Sequence, residues 1–434
     1  MAALLLAAAL CMLADVPGAF DPTPAEPPAP AMPAAGAGEP ETADGLAAAL
    51  GLKLSARAGV WSHDRDLNGE TIVPMLGVRA RMAPSAGALD AKAEAYAQID
   101  RTGRWRTDVV EAWARLTMGE AEVRAGRQII VWGRADRLNP TDNISGRDYT
   151  LLAASDDDQR QGPAMVQARW GRGAITLDAY WLPEFRPFVF PVERGRPGIT
   201  LLRDEQRRAS SQFAVKIDSS GGNFDWSLSW FRGIDRNRDF TARQAPAGSI
   251  AALQQTYPDI NVLGADAAGT AGNFGWRIEA AYTRVLGADT PFIKNDNLWA
   301  VAGADVNLAG GWNFNLQYSL RVIFDHADPR RIADPVTRNI AVLSAAVNNQ
   351  LDRVQNGITF RAARRFAADT AEAEIAVIHY IEPGDTAIRP RVSTSIRDGL
   401  RLAVGADIFT GPVNSYFGRV RSLSAGWLQL TAGF

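Results

Sequence analysis

The chain has 434 residues, 47% of them hydrophobic and 22% charged, with 46 Lys and Arg set against 48 Asp and Glu for a net charge of -2. That balance, with no basic block, leaves no electrostatic footprint for nucleic acid. After the first 15 residues no apolar run reaches the roughly 18 that a membrane-spanning helix needs. Helical spans are therefore excluded, but strands are not, because their alternation keeps hydropathy low.

Met1–Leu13 (MAALLLAAALCML) is an apolar run of signal-peptide length, and residues 1–20 are expected to be a secretory signal. No Lys or Arg precedes Lys53, so the usual basic region is missing and a translation start upstream of Met1 is expected. A lipoprotein role for Cys11 is disfavoured, since Leu10 stands where a small residue is needed. Loss of the signal removes the sole cysteine, and with it any disulfide or thiolate metal site. Residues 21–50, punctuated by Pro22, Pro24, Pro27, Pro28, Pro30, Pro33 and Pro40, read as an Ala/Pro-rich periplasmic linker. Residues 51–434 read as one domain.

Within that domain the dominant pattern has period two. Trp312-Asn313-Phe314-Asn315-Leu316-Gln317-Tyr318-Ser319-Leu320-Arg321 puts its apolar residues on one face and its polar ones on the other, as a strand does. From Asp90 to Asp100 the polar residues share a face with Tyr96 while Ala91, Ala93, Ala95, Ala97 and Ile99 take the opposite one. Ile175–Trp181, Phe213–Asp218, Trp226–Trp230, Phe274–Thr283, Ile358–Arg361 and Leu400–Ile408 repeat it, and Ile260–Ala268 shows it most faintly.

The connections alternate too. Tight turns at Gly119-Glu120, Gly171–Gly173, Ser219–Asn223, Gly269–Gly272, Ala309–Gly311, Ala367–Thr370 and Arg397–Gly399 are separated by long polar segments. These lie near Ser62–Pro74, Gln128–Gly162, Pro183–Ser210, Gly233–Pro258, Leu286–Asn297, Asp325–Val354 and Thr410–Ser422. Short turns at one end and long loops at the other predict an all-β transmembrane antiparallel barrel of about 18 strands (16 to 18) in the outer membrane of a Gram-negative bacterium. Trp170, Trp181, Trp226, Trp230, Trp276, Trp299, Trp312 and Tyr282 fall on the apolar face near strand ends, where an aromatic girdle would meet the lipid interfaces. The alternating final strand Leu423–Phe434, ending in Phe, resembles the signal read by the outer-membrane assembly machinery, which is an expected partner beside the outer-membrane lipids.

An apolar face in lipid puts the polar face in the lumen. Arg361, Glu372, Glu374, Arg389, Arg391 and Arg401 are predicted lumen-wall residues among a dense mixture of charge that only water or opposite charge can satisfy. Both a solute conduit and a salt-bridged, plugged scaffold satisfy that condition. Arg389, Arg391, Arg397 and Arg401 make one wall basic, which would favour anionic solutes. The segment after the fifth strand, Gly126–Asn143, continues through Arg147 to Asp156-Asp157-Asp158 and is long enough to fold inward as a third loop. Arg127, Arg134, Asp136, Arg137, Asp142 and Arg147 are then candidates for a pore constriction. Alternatively, Asn139-Pro140 and Asp142 simply build a turn.

The string Trp132-Gly133-Arg134-Ala135-Asp136-Arg137-Leu138-Asn139-Pro140-Thr141-Asp142-Asn143, with Ser415-Tyr416-Phe417-Gly418 before the last strand, resembles a family of proteobacterial outer-membrane barrels related to alginate-export-type porins. The resemblance covers nearly everything after residue 50 and implies a porin-like channel for small or polymeric solutes. Relatives of that kind occur alongside inner-membrane exporters. The resemblance therefore also implies an alternative, a non-conducting barrel that serves an envelope export complex as scaffold or lipid-transfer partner. A homo-oligomer is compatible with either and required by neither.

Catalysis is not expected. Ser–His chemistry has only His63, His326 and His379 to draw on: His63 and His326 lie at loop edges and His379 on the lipid face. Asp64-Arg65-Asp66-Leu67-Asn68-Gly69 imitates the start of a calcium loop, but Met75 stands where a bidentate Glu is needed, so a turn is the better reading. With no phosphate loop and no His/Cys cluster, neither a cofactor nor a metal is expected.

Overall fold

The computed structural model describes residues 49–62, 72–100, 103–189, 200–202, 211–244, 250–287, 290–412, 415–419 and 421–434. The expected signal peptide, nearly all of the linker, His63 and the Asp64–Gly69 segment lie outside the described residues. Eighteen long strands form the wall. They are β1 (Lys53–Ser62), β2 (Ile72–Met82), β3 (Leu89–Ile99), β4 (Trp105–Met118), β5 (Ala121–Arg127), β6 (Ala164–Arg172), β7 (Ile175–Leu182), β8 (Gln212–Ser219) and β9 (Asp225–Ile234). The second half continues with β10 (Asp259–Ala271), β11 (Phe274–Leu286), β12 (Asn297–Leu308), β13 (Trp312–Ile323), β14 (Val354–Phe366), β15 (Ala371–Tyr380), β16 (Asp385–Arg397), β17 (Leu400–Thr410) and β18 (Ala425–Gly433).

Each strand pairs antiparallel with the next, and β1 pairs with β18 from Ser55↔Gly433 to Trp61↔Trp427, so the sheet closes and has no free edge. Phe434 completes the seam, exchanging backbone hydrogen bonds with Leu54. Closure lets every spanning backbone group bond within the sheet, the condition for strands in lipid. The outward positions are apolar and exposed, including Leu54, Val60, Leu76, Val78, Leu228, Leu263, Ile278, Leu316, Val404 and Leu428. Trp170, Trp181, Trp230, Trp312 and Tyr282 share that face. This is the lipid-facing band of an outer-membrane barrel. Trp299 departs from the expectation. It points inward and is buried, its indole N–H donating to Ser319 Oγ at 2.9 Å while Arg321 lies 4.2 Å over its ring. A polar indole edge with a buried partner is as satisfied inside as at an interface.

A barrel this wide encloses more space than its own side chains fill, and here the long loops occupy part of it. The segment 324–353 holds a helix, α1 (Pro335–Val347), started by Asp334, whose side chain accepts from Thr337 N, with Pro335 in the first turn. Ile340, Leu343 and Val347 of α1 pack with Phe240, Leu253, Trp299, Val301, Tyr380, Phe409, Tyr416 and Phe417 into an apolar cluster at the long-loop end of the lumen. A small sheet, with Ile250–Thr256 between Asp239–Gln244 and Thr200–Leu202, lies beside α1.

Because Leu316 sits mid-strand on the outer face and is 55% exposed, Leu316→Arg should lower barrel stability by about 2–4 kcal/mol, the cost of a cation near the bilayer midplane. Equilibrium urea unfolding in lipid vesicles reads this.

Candidate functional site

The inward positions form three differently charged stretches of wall. On β8 to β10, Asp218, Ser227 and Asp266 face the lumen beside Lys216, which pairs with Asp218 at 3.2 Å. On β11 to β15 Arg277 pairs with Asp305, and Arg361 with Glu374 at 2.6 Å. On the seam side lie Arg57, Arg79 and Glu94 of β1 to β3 and Arg389, Arg391 and Arg401 of β16 and β17, where Arg389 pairs with Asp407.

The loop between β5 and β6, residues 128–163, crosses this space. Ile130, Trp132 and Ile144 anchor its entry by packing with Tyr180, Leu182, Phe231, Ile260, Val262 and Val285. The chain then wraps one carboxylate. Glu279 of β11, 0% exposed, accepts from Arg134 N and Ala135 N through Oε2, each at 3.0 Å, and from Thr141 N and Thr141 Oγ1 through Oε1, each at 2.8 Å. Four donors convert a costly buried charge into a fixed anchor. Gly133 makes the approach feasible: its φ is 93° and a Cβ there would collide with the Glu279 carboxylate.

The candidate constriction residues divide along the strap. Arg134 docks among three wall carboxylates, at 2.9 Å from Asp218, 2.7 Å from Asp266 and 3.9 Å from Asp225. Asp136 receives Arg277 and Asn315, and its amide donates to Gln317 Oε1 at 3.0 Å. Arg137, with φ 69°, is buried against Glu374 at 3.0 Å. Asp142 and Arg147 serve the strap itself, Asp142 pairing with Arg160 at 3.0 Å and Arg147 donating to Asp156 O at 3.3 Å. Arg127 stands apart from the others, at the end of β5 with Glu184 at 2.7 Å and Asp108 at 3.5 Å. The returning half carries the acidic triplet to the seam wall: Asp156 pairs with Arg389 at 2.8 Å and Asp158 with Arg57 at 2.8 Å. Thus the strap is zwitterionic, cationic end on an acidic wall and anionic end on a basic one.

Two cavities border it. Beneath, one of about 940 Å³ is lined by Arg57, Arg277, Arg361, Arg365, Arg391 and Arg401 together with Asp136, Asp158, Asp305, Asp369 and Glu372. Toward the long loops, a pocket of about 90 Å³ is lined by Asn139, Asp142, Asp235, Arg236, Lys294, Trp299 and Arg321 among others. His326 contacts Leu351 O at 3.2 Å, and His379, on the outer face, contacts Thr386 Oγ1 at 2.9 Å; neither has a serine hydroxyl as a partner in these contacts.

Over the small pocket lies the α1 lid. Asp239 Oδ1 accepts from Asn348 Nδ2 at 2.5 Å and from Ser344 Oγ at 3.1 Å, and Lys294 N approaches Oδ2 at 3.4 Å. Burial pushes the Asp239 carboxyl up from 3.8 to about 6, against the opposing pull of Lys294. The packed lid therefore favours the neutral acid: no penalty applies below 3.8, and docking weakens as pH rises from there through 6.

Two outcomes follow from these anchors. Glu279→Ala orphans four donors at about 1–3 kcal/mol each if they stay buried, so the strap should undock, and hydrogen exchange at the amides of Arg134, Ala135 and Thr141 should accelerate at least a hundredfold. A nitroxide at Val336 on α1, with Cys11 replaced by Ser, should be more mobile at pH 7.5 than at pH 4.5 in spin-resonance spectra, and Asp239→Asn should flatten that difference.

No protein-family model and no curated protein matches the sequence. The structure does resemble solved outer-membrane proteins. OccK11 (OpdR) of Pseudomonas aeruginosa aligns with a TM-score of 0.52 at 13% identity, covering 88% of this chain and 95% of that one. OccD3 (OpdP) of the same organism aligns at 0.53 and 11%, covering 88% and 90%. OpdK of Pseudomonas aeruginosa, solved with vanillate, aligns at 0.52 and 10%, covering 88% and 98%. At these identities the likeness is one of fold, and the chain is an outer-membrane β-barrel of porin architecture.

Proposed function

We propose that the barrel is a porin-like channel that passes small charged solutes across the outer membrane, through a lumen narrowed by the 128–163 strap. The observation that carries this reading is the 940 Å³ cavity beneath the strap, whose six arginines and five carboxylates form a wet, ionic surface of no use to a packed scaffold. Residues of the strap, Asp136 and Asp158, stand in its lining, so the constriction and the solute space are one site. OpdK, a protein of the same architecture, was solved with vanillate, a small organic anion, and the basic wall of Arg389, Arg391 and Arg401 suits solutes of that sign here. The resemblance to alginate-export-type porins would add polymeric cargo. Against a polymer stands the apolar cluster of α1, Phe240, Phe409 and Phe417, which fills the long-loop end of the lumen. That same cluster favours a second reading, a closed barrel acting as scaffold or lipid-transfer partner of an inner-membrane exporter.

Planar-bilayer recording of the refolded protein separates the two readings. The channel reading expects discrete steps that grow at least twofold when Arg134–Asp148 is deleted. Silence in both forms would overturn it and leave the scaffold.

A further inference from the structure

The acidic triplet on the returning half of the strap has no role in the anchor at Glu279, yet it makes specific contacts. Asp158 lies across two guanidinium groups from adjacent strands. Arg57 of β1 holds it bidentately, Nη1 at 2.8 Å and Nη2 at 2.9 Å, and Arg79 of β2 adds Nη1 at 3.1 Å and a bond to the Asp158 carbonyl at 3.2 Å. A fork of two arginines on a rigid sheet is the arrangement that recognises a carboxylate. Arg79 Nη1 also pairs with Glu94 at 3.0 Å, but among the described residues both Nε–H groups lack a partner, so the site is under-satisfied. Arg57 and Asp158 also line the 940 Å³ cavity, which brings the site within reach of a diffusing solute.

The segment that delivers Asp158 is short and is held mainly at residues other than Asp158: Asp148 N donates to Gln159 O at 2.7 Å, Gln159 Nε2 to Leu151 O at 3.0 Å, and Asp156 pairs with Arg389 at 2.8 Å. Asp156–Gln159 is a single turn of 3-10 helix whose N-cap Ser155 makes no capping bond, so little in the turn itself fixes the Asp158 side chain. Its neighbours, by contrast, are fixed apart from any charge. Leu152 packs with Trp61, Met75 and Trp427, and Ala154 N donates to Gln429 Oε1 at 3.2 Å. Asp158 can therefore leave its arginines while the strap stays in the barrel.

We propose that Arg57 and Arg79 form a binding subsite for small organic carboxylates, and that Asp158 occupies it as a tethered competitor. The inference rests on the lumen being a solute path and names the group that path recognises. A solute carboxylate displaces the Asp158 side chain and takes over the two guanidinium forks, while Leu152, Ala154 and Asp156 keep the strap on the seam wall. No covalent step is involved, and the displaced carboxylate is hydrated in the cavity.

Calorimetric titration of the detergent-purified barrel with succinate tests this without requiring conduction. Asp158→Asn keeps the side-chain shape and removes the competing charge, and should bind succinate at least tenfold more tightly than the parent, the order expected when a tether holds its carboxylate at roughly millimolar effective concentration. Asp158→Ser should reproduce the gain, which guards against a folding artefact in either variant. Adding Arg57→Gln and Arg79→Gln to Asp158→Asn should abolish the binding. Equal affinity in the parent and both Asp158 variants would overturn the subsite, as would succinate binding that survives loss of both arginines. A barrel that is silent in bilayers but shows the tenfold gain would refute the channel and leave the subsite standing.

Discussion

A closed sheet of eighteen strands encloses more volume than its inward side chains occupy, so its lumen must hold water, chain or both. What decides the matter here is a buried carboxylate with four donors from one loop. Glu279 is completely inaccessible to solvent, and leaving it uncompensated would cost several kcal/mol. The segment from Gly133 to Thr141 is the group that compensates it. The carboxylate needs the loop to be tolerable in the wall, and the loop's peptide N–H groups need the carboxylate to be tolerable away from water. Neither half is stable alone, which is why the strap crosses the barrel instead of extending above it.

Once the strap is pinned there, the charges along it sort themselves by distance to the walls. Arg134 meets Asp218 and Asp266, whereas Asp156 and Asp158 meet Arg389 and Arg57. These pairs are not equal in weight. The Asp158–Arg57 pair is part-buried, at 17% and 13% exposure, and borders the 940 Å³ cavity, where an ion pair is screened more than in a closed interior. The Glu279 cradle and the fully enclosed Arg137–Glu374 pair hold the first half of the strap far more firmly. A strap with one firmly fixed end and one more exchangeable end is what the proposed channel would need in order to be narrowed without being sealed.

Much of this was legible in the sequence, for a physical reason. Period-two alternation with outward Leu, Val and Trp is dictated by lipid on one side and water on the other, so strands such as Trp312–Ile323 and the alternation of tight and long connections could be read directly. Even faint Ile260–Ala268 proved to be the middle of β10. The inward course of the 128–163 loop was legible from its position after the fifth strand and its length, in which it resembles the third loop of porins, but its anchor was not. Glu279 in the sequence is one lumen carboxylate among many, and only the fold brings it to Gly133. The helix α1 is hidden because 325–354 reads as a polar loop, although Asp334-Pro335 and the spacing of Ile340, Leu343 and Val347 carry a cap and a helical apolar stripe. The sequence points Trp299 outward because an isolated Trp on a strand reads the same on either face, and the polar partners that settle it, Ser319 and Arg321, lie on the neighbouring strand.

The lumen is therefore built in two layers of opposite character. At the long-loop end, α1 closes the space with apolar packing around Phe240, Leu343 and Val347, and such contacts hold by area and give way all at once. At the turn end, the cavity walls are ionic, and their pairs are individually screened by salt. Solute moving inward would meet the apolar lid first and the arginines second, so selectivity by charge would act only on what the lid had already admitted. Asp239 is a buried carboxylate that ties the small sheet to α1 through Ser344 and Asn348, with Lys294 and Asp235 as its charged neighbours. The lid thus depends on a titratable contact at Asp239, whose carboxyl burial pushes up to about 6.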